Sequence, residues 1–167
     1  MKTKIEEKEP FILFGLEKRF KKDESIAAFW TECHGKGLYQ KLFFDAGGKG
    51  DPDKEPPGIG IVNAACGYEV SEDGETVYMI CAFANDGCKT EGYKIVQVPQ
   101  SAWAIFRGKE ADNPAKHIPE LYARAYKKWL PRSGYTRAPG PDMEIYTVTE
   151  SGKFCDEVWV PVKKADS

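Results

Sequence analysis

The feature that most constrains this chain is an order of elements that occurs twice. Phe11–Phe20 reads as a strand, continuous at first and alternating at its end. Asp23, Glu24 and Ser25 form a helix start, and Ile26, Phe29, Trp30 and Cys33 follow at helical spacing on one face. Gly35 and Gly37 end that helix, and residues 38–44 are expected to add a short helical turn. Residues 60–68 and 77–84 then read as two strands, with a hairpin turn at 71–75 between them. The pattern recurs. Residues 93–106 are extended, with Pro99 allowing a bend, and Asp112-Asn113-Pro114 is a second helix start. Ile118, Leu121, Tyr122, Ala125 and Trp129 make one apolar stripe, which Pro131 and Gly134 stop. Two strands close the chain, at 141–148 and 157–163. Strand, helix, strand, strand therefore repeats at a spacing of about eighty residues. Each half alone would leave one face of a small antiparallel sheet bare. The expected architecture is thus α+β, with two duplicated halves in one antiparallel sheet, two main helices on one side and a central ligand cleft at the seam.

A chain of 167 residues is long enough for one domain with its own core. Residues 1–9 read as a charged flexible tail, and residues 10–164 as a single domain with pseudo-repeats at about 10–85 and 92–164. The net charge of −2 gives no basic surface for nucleic acid, so no direct nucleic-acid binding is expected. No apolar run approaches the ~18 residues of a membrane span, and the first residues lack the apolar core of a signal peptide. A cytoplasmic location with no membrane partner is the expectation. Five cysteines without a Cys-x-x-Cys pair read as reduced thiols. Cys33 and His34 are adjacent and point about 100° apart on a helix, which makes them poor co-ligands. Neither a metal nor a cofactor is expected. The glycines between 35 and 50 lack the following Gly-Lys-Ser/Thr of a phosphate loop. Residues 46–58 read as a loop that is a candidate lid over the cleft.

Glu144 stands out within its strand. It is an acid in the run Met143-Glu144-Ile145-Tyr146-Thr147-Val148, and an isolated buried charge is costly. Alternation puts Glu144, Tyr146 and Val148 on one face, but both faces are mixed. Two readings stand: a surface acid on a half-buried strand, or the negative end of an aromatic pocket. Buried and ionised, Glu144 would hold a ligand cation against aromatic faces, each worth roughly 0.5–2 kcal/mol. Buried with a raised pKa, it would serve as an acid or base near neutral pH.

Several segments carry a family resemblance. They are Val98-Pro99 leading to Trp103-Ala104-Ile105-Phe106, Trp129-Leu130-Pro131 with Gly134-Tyr135, Met143-Glu144-Ile145-Tyr146, and Glu157-Val158-Trp159-Val160-Pro161-Val162-Lys163. Together with the repeated order of elements they resemble the GyrI-like domain, also described as the AraC-type effector-binding domain. The resemblance implies a duplicated SHS2-type fold whose pocket takes hydrophobic, often cationic compounds. It places Glu144 at the family's pocket glutamate and Trp159 at an aromatic position of the last strand. It also implies ligand contacts for Tyr122 from the second helix, for Trp30 or Phe29 from the first, and for Tyr146. Trp103 and Tyr78 are weaker candidates, and helical stripes of this kind are commonly packing alone.

The functional expectation is a stand-alone effector-binding or sequestering protein, linked to transcription regulation or to drug and toxin protection. Its partner is a hydrophobic or cationic small molecule. Two alternatives remain open. One is a hydrolase of reactive cyclopropane-type xenobiotics, with Glu144 as catalytic general acid or base. The other is a protein-interaction module.

Overall fold

The computed structural model describes residues 2–21, 23–52, 62–68 and 75–166. Among these, nine strands form one antiparallel sheet. They are β1 (Lys2–Lys8), β2 (Phe11–Phe20), β3 (Asn63–Cys66), β4 (Thr76–Phe83), β5 (Lys94–Val98), β6 (Ser101–Arg107), β7 (Tyr135–Arg137), β8 (Asp142–Val148) and β9 (Phe154–Lys164). The helices are α1 (Ile26–Gly35), α2 (Leu38–Asp45) and α3 (Ile118–Ala123). The sheet order is β1-β6-β9-β8-β3-β4-β2-β5, with β7 paired to β9. The repeat is visible in that order: β6, β9 and β8 mirror β2, β4 and β3 across the β8–β3 seam.

Chain length forces this sheet to roll. β1 and β2 are six strand spacings apart, roughly 29 Å if the sheet were flat. Only Glu9 and Pro10 join them, and that link reaches at most about 11 Å. Pro99 and Gln100 join β5 to β6 across the same number of strands. The sheet therefore curls until its ends meet. Phe11 on β2 lies 5.7 Å from Trp103 on β6, and Phe83 on β4 lies 6.2 Å from Trp159 on β9. Leu13, Ala65, Met79, Cys81, Trp103, Ile105 and Met143 fill the inside of the roll. Gly15 permits a close approach within it, because a Cβ there would sit 2.0 Å from the Ile80 carbonyl oxygen.

The helices cover the other face. Phe29 and Cys33 of α1, Tyr39 and Leu42 of α2 and Leu121 of α3 pack on Phe14, Tyr78, Ile80, Phe106, Val158 and Val160. Ser25 caps α1 by accepting the Ala28 N–H at 3.2 Å. The start signal at residue 114 does not begin α3. Ala115 adopts a left-handed φ of 62° and donates its N–H to Asp156, so the helix starts only at Ile118. After α3 the helix widens to π geometry over Arg124–Trp129 and tightens to a 3₁₀ turn over Leu130–Arg132, around Pro131.

Residues 2–8 correct the expectation of a flexible tail. They form β1, paired with β6 from Lys2↔Arg107 to Lys8↔Ser101. Their charge marks an edge strand: Lys2, Lys4, Glu6, Glu7 and Lys8 discourage pairing with another chain, while the backbone ladder holds the strand in place. Much of the expected lid, residues 53–58, and most of the turn at 71–75 lie outside the described residues. No helix among the described residues is long and apolar enough to cross a membrane.

Candidate functional site

Glu144 lies on β8 at the seam of the halves, directly opposite Ala64 of β3 and Val158 of β9. Ala64 is fully buried and small, which leaves room above it for the glutamate side chain. Glu144 is itself 8% exposed and points to the helix face. Three phenols donate to it. Tyr146 reaches Oε1 at 2.6 Å, Tyr78 reaches Oε1 at 3.2 Å, and Tyr122 reaches Oε2 at 3.0 Å. Trp30 extends the set by donating its Nε1–H to the Tyr78 hydroxyl at 2.9 Å.

Matching periods explain part of this arrangement. Four residues of helix rise about 6 Å and two residues of strand about 7 Å, so an i,i+4 helical pair meets an i,i+2 strand pair. Tyr122 thus reaches Glu144, while Tyr126 donates to Asp142 at 2.5 Å. Asp142 has a cation of its own, Arg137, at 3.2 Å. Glu144 has none among the described residues. Burial pushes its carboxyl above the ordinary glutamate range, against the pull of the three hydroxyls and with a further push from Asp142. The same burial, reinforced by Glu144, lifts Tyr78, Tyr122 and Tyr146, so all three phenols stay protonated donors. Cys66 beside them is pushed up to about 12, by burial and then by Glu144, and is an inert thiol.

A cleft of about 230 Å³ opens over this group, lined by Ala27, Trp30, His34, Pro114, Ala115 and Tyr146. Trp30 meets Tyr146 edge-on at 5.8 Å, and the carboxylate lies behind these two rings. Glu144, Tyr146, Tyr122 and Trp30 are therefore brought together, and Tyr78 joins them.

Two expected residues are not brought there. Trp159 pairs with Met143 and Ile105, which puts it on the inner face of the roll, opposite to Glu144. Lys8 sits over its ring at 4.4 Å, and Glu157 accepts its indole N–H. Phe29 is one residue from Trp30 but about 100° round the helix, and it packs edge-on against Phe20 at 5.7 Å. Sequence reasoning missed Tyr126, Asp142, Arg137 and Asp156. The Tyr122/Tyr126 and Asp142/Glu144 spacings together were the available signal for the first two. Among the described residues no group of three or more His, Cys, Asp or Glu is placed to hold a metal ion.

Solved structures share this fold. SAV2435 bound to tetraphenylphosphonium is 20% identical with a TM-score of 0.71, over 98% of this chain and 94% of that one. A putative bacterial transcription regulation protein from Staphylococcus aureus MU50 is 19% identical with a TM-score of 0.67, over 98% and 99%. A hydrolase from Listeria innocua is 10% identical with a TM-score of 0.52, over 97% and 92%. No curated protein matches the chain. The GyrI-like small molecule binding domain matches residues 1–163, nearly every residue that builds the rolled sheet and its buried glutamate, and the chain belongs to that family.

Proposed function

We propose that this chain binds lipophilic cations, with Glu144 as the counter-charge and Trp30, Tyr146 and Tyr122 as its aromatic surround. The observation that carries the reading is a buried carboxylate with three hydroxyl donors and no cation of its own among the described residues. Hydroxyls satisfy its lone pairs but leave its charge uncompensated, and a ligand cation supplies what is missing. The similar SAV2435, bound to tetraphenylphosphonium, supports this chemistry. The cleft of about 230 Å³ is below the ~300 Å³ of the smallest drug-sized pockets. A bulky cation therefore reaches Glu144 by turning Trp30 away from Tyr78. The same pocket would serve an effector-binding role in transcription regulation or a sequestering role in drug protection.

The test is a titration with tetraphenylphosphonium, followed by tryptophan fluorescence. The wild type should saturate, and Glu144→Gln should bind ~30-fold more weakly or worse, a loss of about 2 kcal/mol. Equal affinity of the two proteins would sink the reading. A second reading, hydrolysis of electrophilic cyclopropane compounds, draws on one observation: burial raises the Glu144 carboxyl toward the range of a usable general acid or base. Product formation that vanishes in Glu144→Gln while binding of the uncharged substrate persists would favour it.

A further inference from the structure

Asp156 is a second buried acid on the helix face, 3% exposed, and the cation site described above makes no use of it. β9 sets its place. Glu144 pairs with Val158, and Asp156, two residues away on the same face, pairs with Tyr146. The two acids are thus diagonal cross-strand neighbours, roughly 7–8 Å apart at the backbone.

The two oxygens of Asp156 have different surroundings. Oδ2 accepts the Ala115 N–H at 2.8 Å. That bond holds Ala115 at a φ of 62°, a region that residues other than glycine seldom occupy. The loop before α3 needs no more than this one oxygen. Oδ1 is buried and has no hydrogen-bond partner among the described residues. Buried carboxylate oxygens are seldom left so, and each such exception calls for an explanation.

The cleft offers one. Ala115 and Tyr146 both line it, and both bracket Asp156, the first by a hydrogen bond and the second by strand pairing. The carboxylate therefore lies behind the part of the cleft wall that Ala115 and Tyr146 form. We propose that Asp156 is a second acidic end of the ligand cleft, so that the site prefers aromatic ligands carrying two cationic groups to ligands carrying one. An amidinium or similar N–H-bearing cation donates to Oδ1 while the other end of the ligand rests at Glu144. The charges around Asp156 agree with a missing cation. Burial, with a smaller push from Glu144, holds its carboxyl up, and only the Ala115 N–H and His117 oppose them. This inference rests on Glu144 being the first cation site.

The probes are benzamidine, the compact bis-amidine benzene-1,4-dicarboxamidine and tetraphenylphosphonium, titrated at pH 7.5 into wild type, Asp156→Asn and Glu144→Gln. Circular dichroism checks that each variant is folded. The wild type should bind the bis-amidine at least ~10-fold more tightly than benzamidine. Asp156→Asn should lose about 10-fold or more for the bis-amidine and less than about 3-fold for tetraphenylphosphonium. An Asp156→Asn protein that binds the bis-amidine as wild type does, or weakens both cations equally, overturns the proposal. So does a wild type with no preference for the bis-amidine, a result that needs no variant to fold. If Glu144→Gln still weakens tetraphenylphosphonium in those cases, the single-cation reading stands. Should Glu144→Gln leave tetraphenylphosphonium unchanged, the first reading itself has failed.

Discussion

The two halves of this molecule share a frame and divide the chemistry. One row of paired residues crosses six strands: Leu16, Ile80, Ala64, Glu144, Val158 and Phe106. At the seam the first half places Ala64 where the second places Glu144. Two residues before Ile80 on β4 is Tyr78, and two residues before Val158 on β9 is Asp156. Corresponding positions thus carry a donor in the first half and an acid in the second. Trp30 and Tyr78 supply hydrogen-bond donors from the first half, and every buried carboxylate of the site comes from the second. A duplicated frame makes this possible, because one half can stay small at the seam while the other projects an acid over it.

Restoring symmetry at the seam should therefore be the most damaging change. Ala64→Glu would face a second carboxylate directly against Glu144 in a fully buried row. Like charges at that range cannot both ionise without heavy cost, and the added volume has nowhere to go. We expect a loss of about 4 kcal/mol or more. Thermal melting at pH 7.5 should show a fall of roughly 10 °C. A variant that melts like wild type would mean that the seam is roomy and that the halves are interchangeable there.

What the sequence made legible follows the same division. Periodicity is informative over whole turns of helix, so the α1 and α3 stripes and the repeated order of elements could be read directly. The face of a strand is harder. Glu144 pairs with Val158 rather than with Trp159, and a slip of one residue in that register would have put Trp159 beside the acid. Nothing in the run 157–163 fixes that register, since hydrophobic residues point to both faces when both are buried. β1 was illegible for another reason: its stability comes from the backbone ladder to β6, which side-chain composition does not report. Asp156 was hidden because its partner is the Ala115 backbone, reached only after the 112–117 loop folds back.

The two buried acids of the second half should also differ from ordinary surface carboxylates in their pH response. Asp156 is pushed from 3.8 up to about 6, by burial first. Below about pH 3 the folded and unfolded chains both hold its proton, and the fold bears no penalty. As pH rises through 6 the folded state ionises a group that the unfolded chain ionised earlier, and stability is lost. The lost increment is about 2–3 kcal/mol. Asp156→Asn keeps an acceptor for Ala115 and removes the charge. Denaturant melts should find it more stable than wild type by about that amount at pH 7.5 and unchanged at about pH 3. A stability difference that does not vary between these two pH values would show that the Asp156 charge is already compensated in the folded state.

The smallest effects separate the donors of the two halves. Oε1 of Glu144 has two, Tyr146 at 2.6 Å and Tyr78 at 3.2 Å, whereas Oε2 has Tyr122 alone at 3.0 Å. Tyr78→Phe therefore leaves Oε1 with its shorter bond, and costs about 0.5 kcal/mol or less. Tyr122→Phe strips Oε2 of its hydroxyl and should cost about 1–2 kcal/mol of support for the ionised carboxylate. Each deletion removes a donor that lowers the Glu144 pKa, so each should weaken cation binding most at mildly acid pH. At pH 6 the affinity for tetraphenylphosphonium should fall ~5-fold or more in Tyr122→Phe and less than ~2-fold in Tyr78→Phe. Equal losses would mean that the first half supports the acid as strongly as the second does. The division of labour would then lie in the carboxylates alone, with the donors shared evenly across the seam.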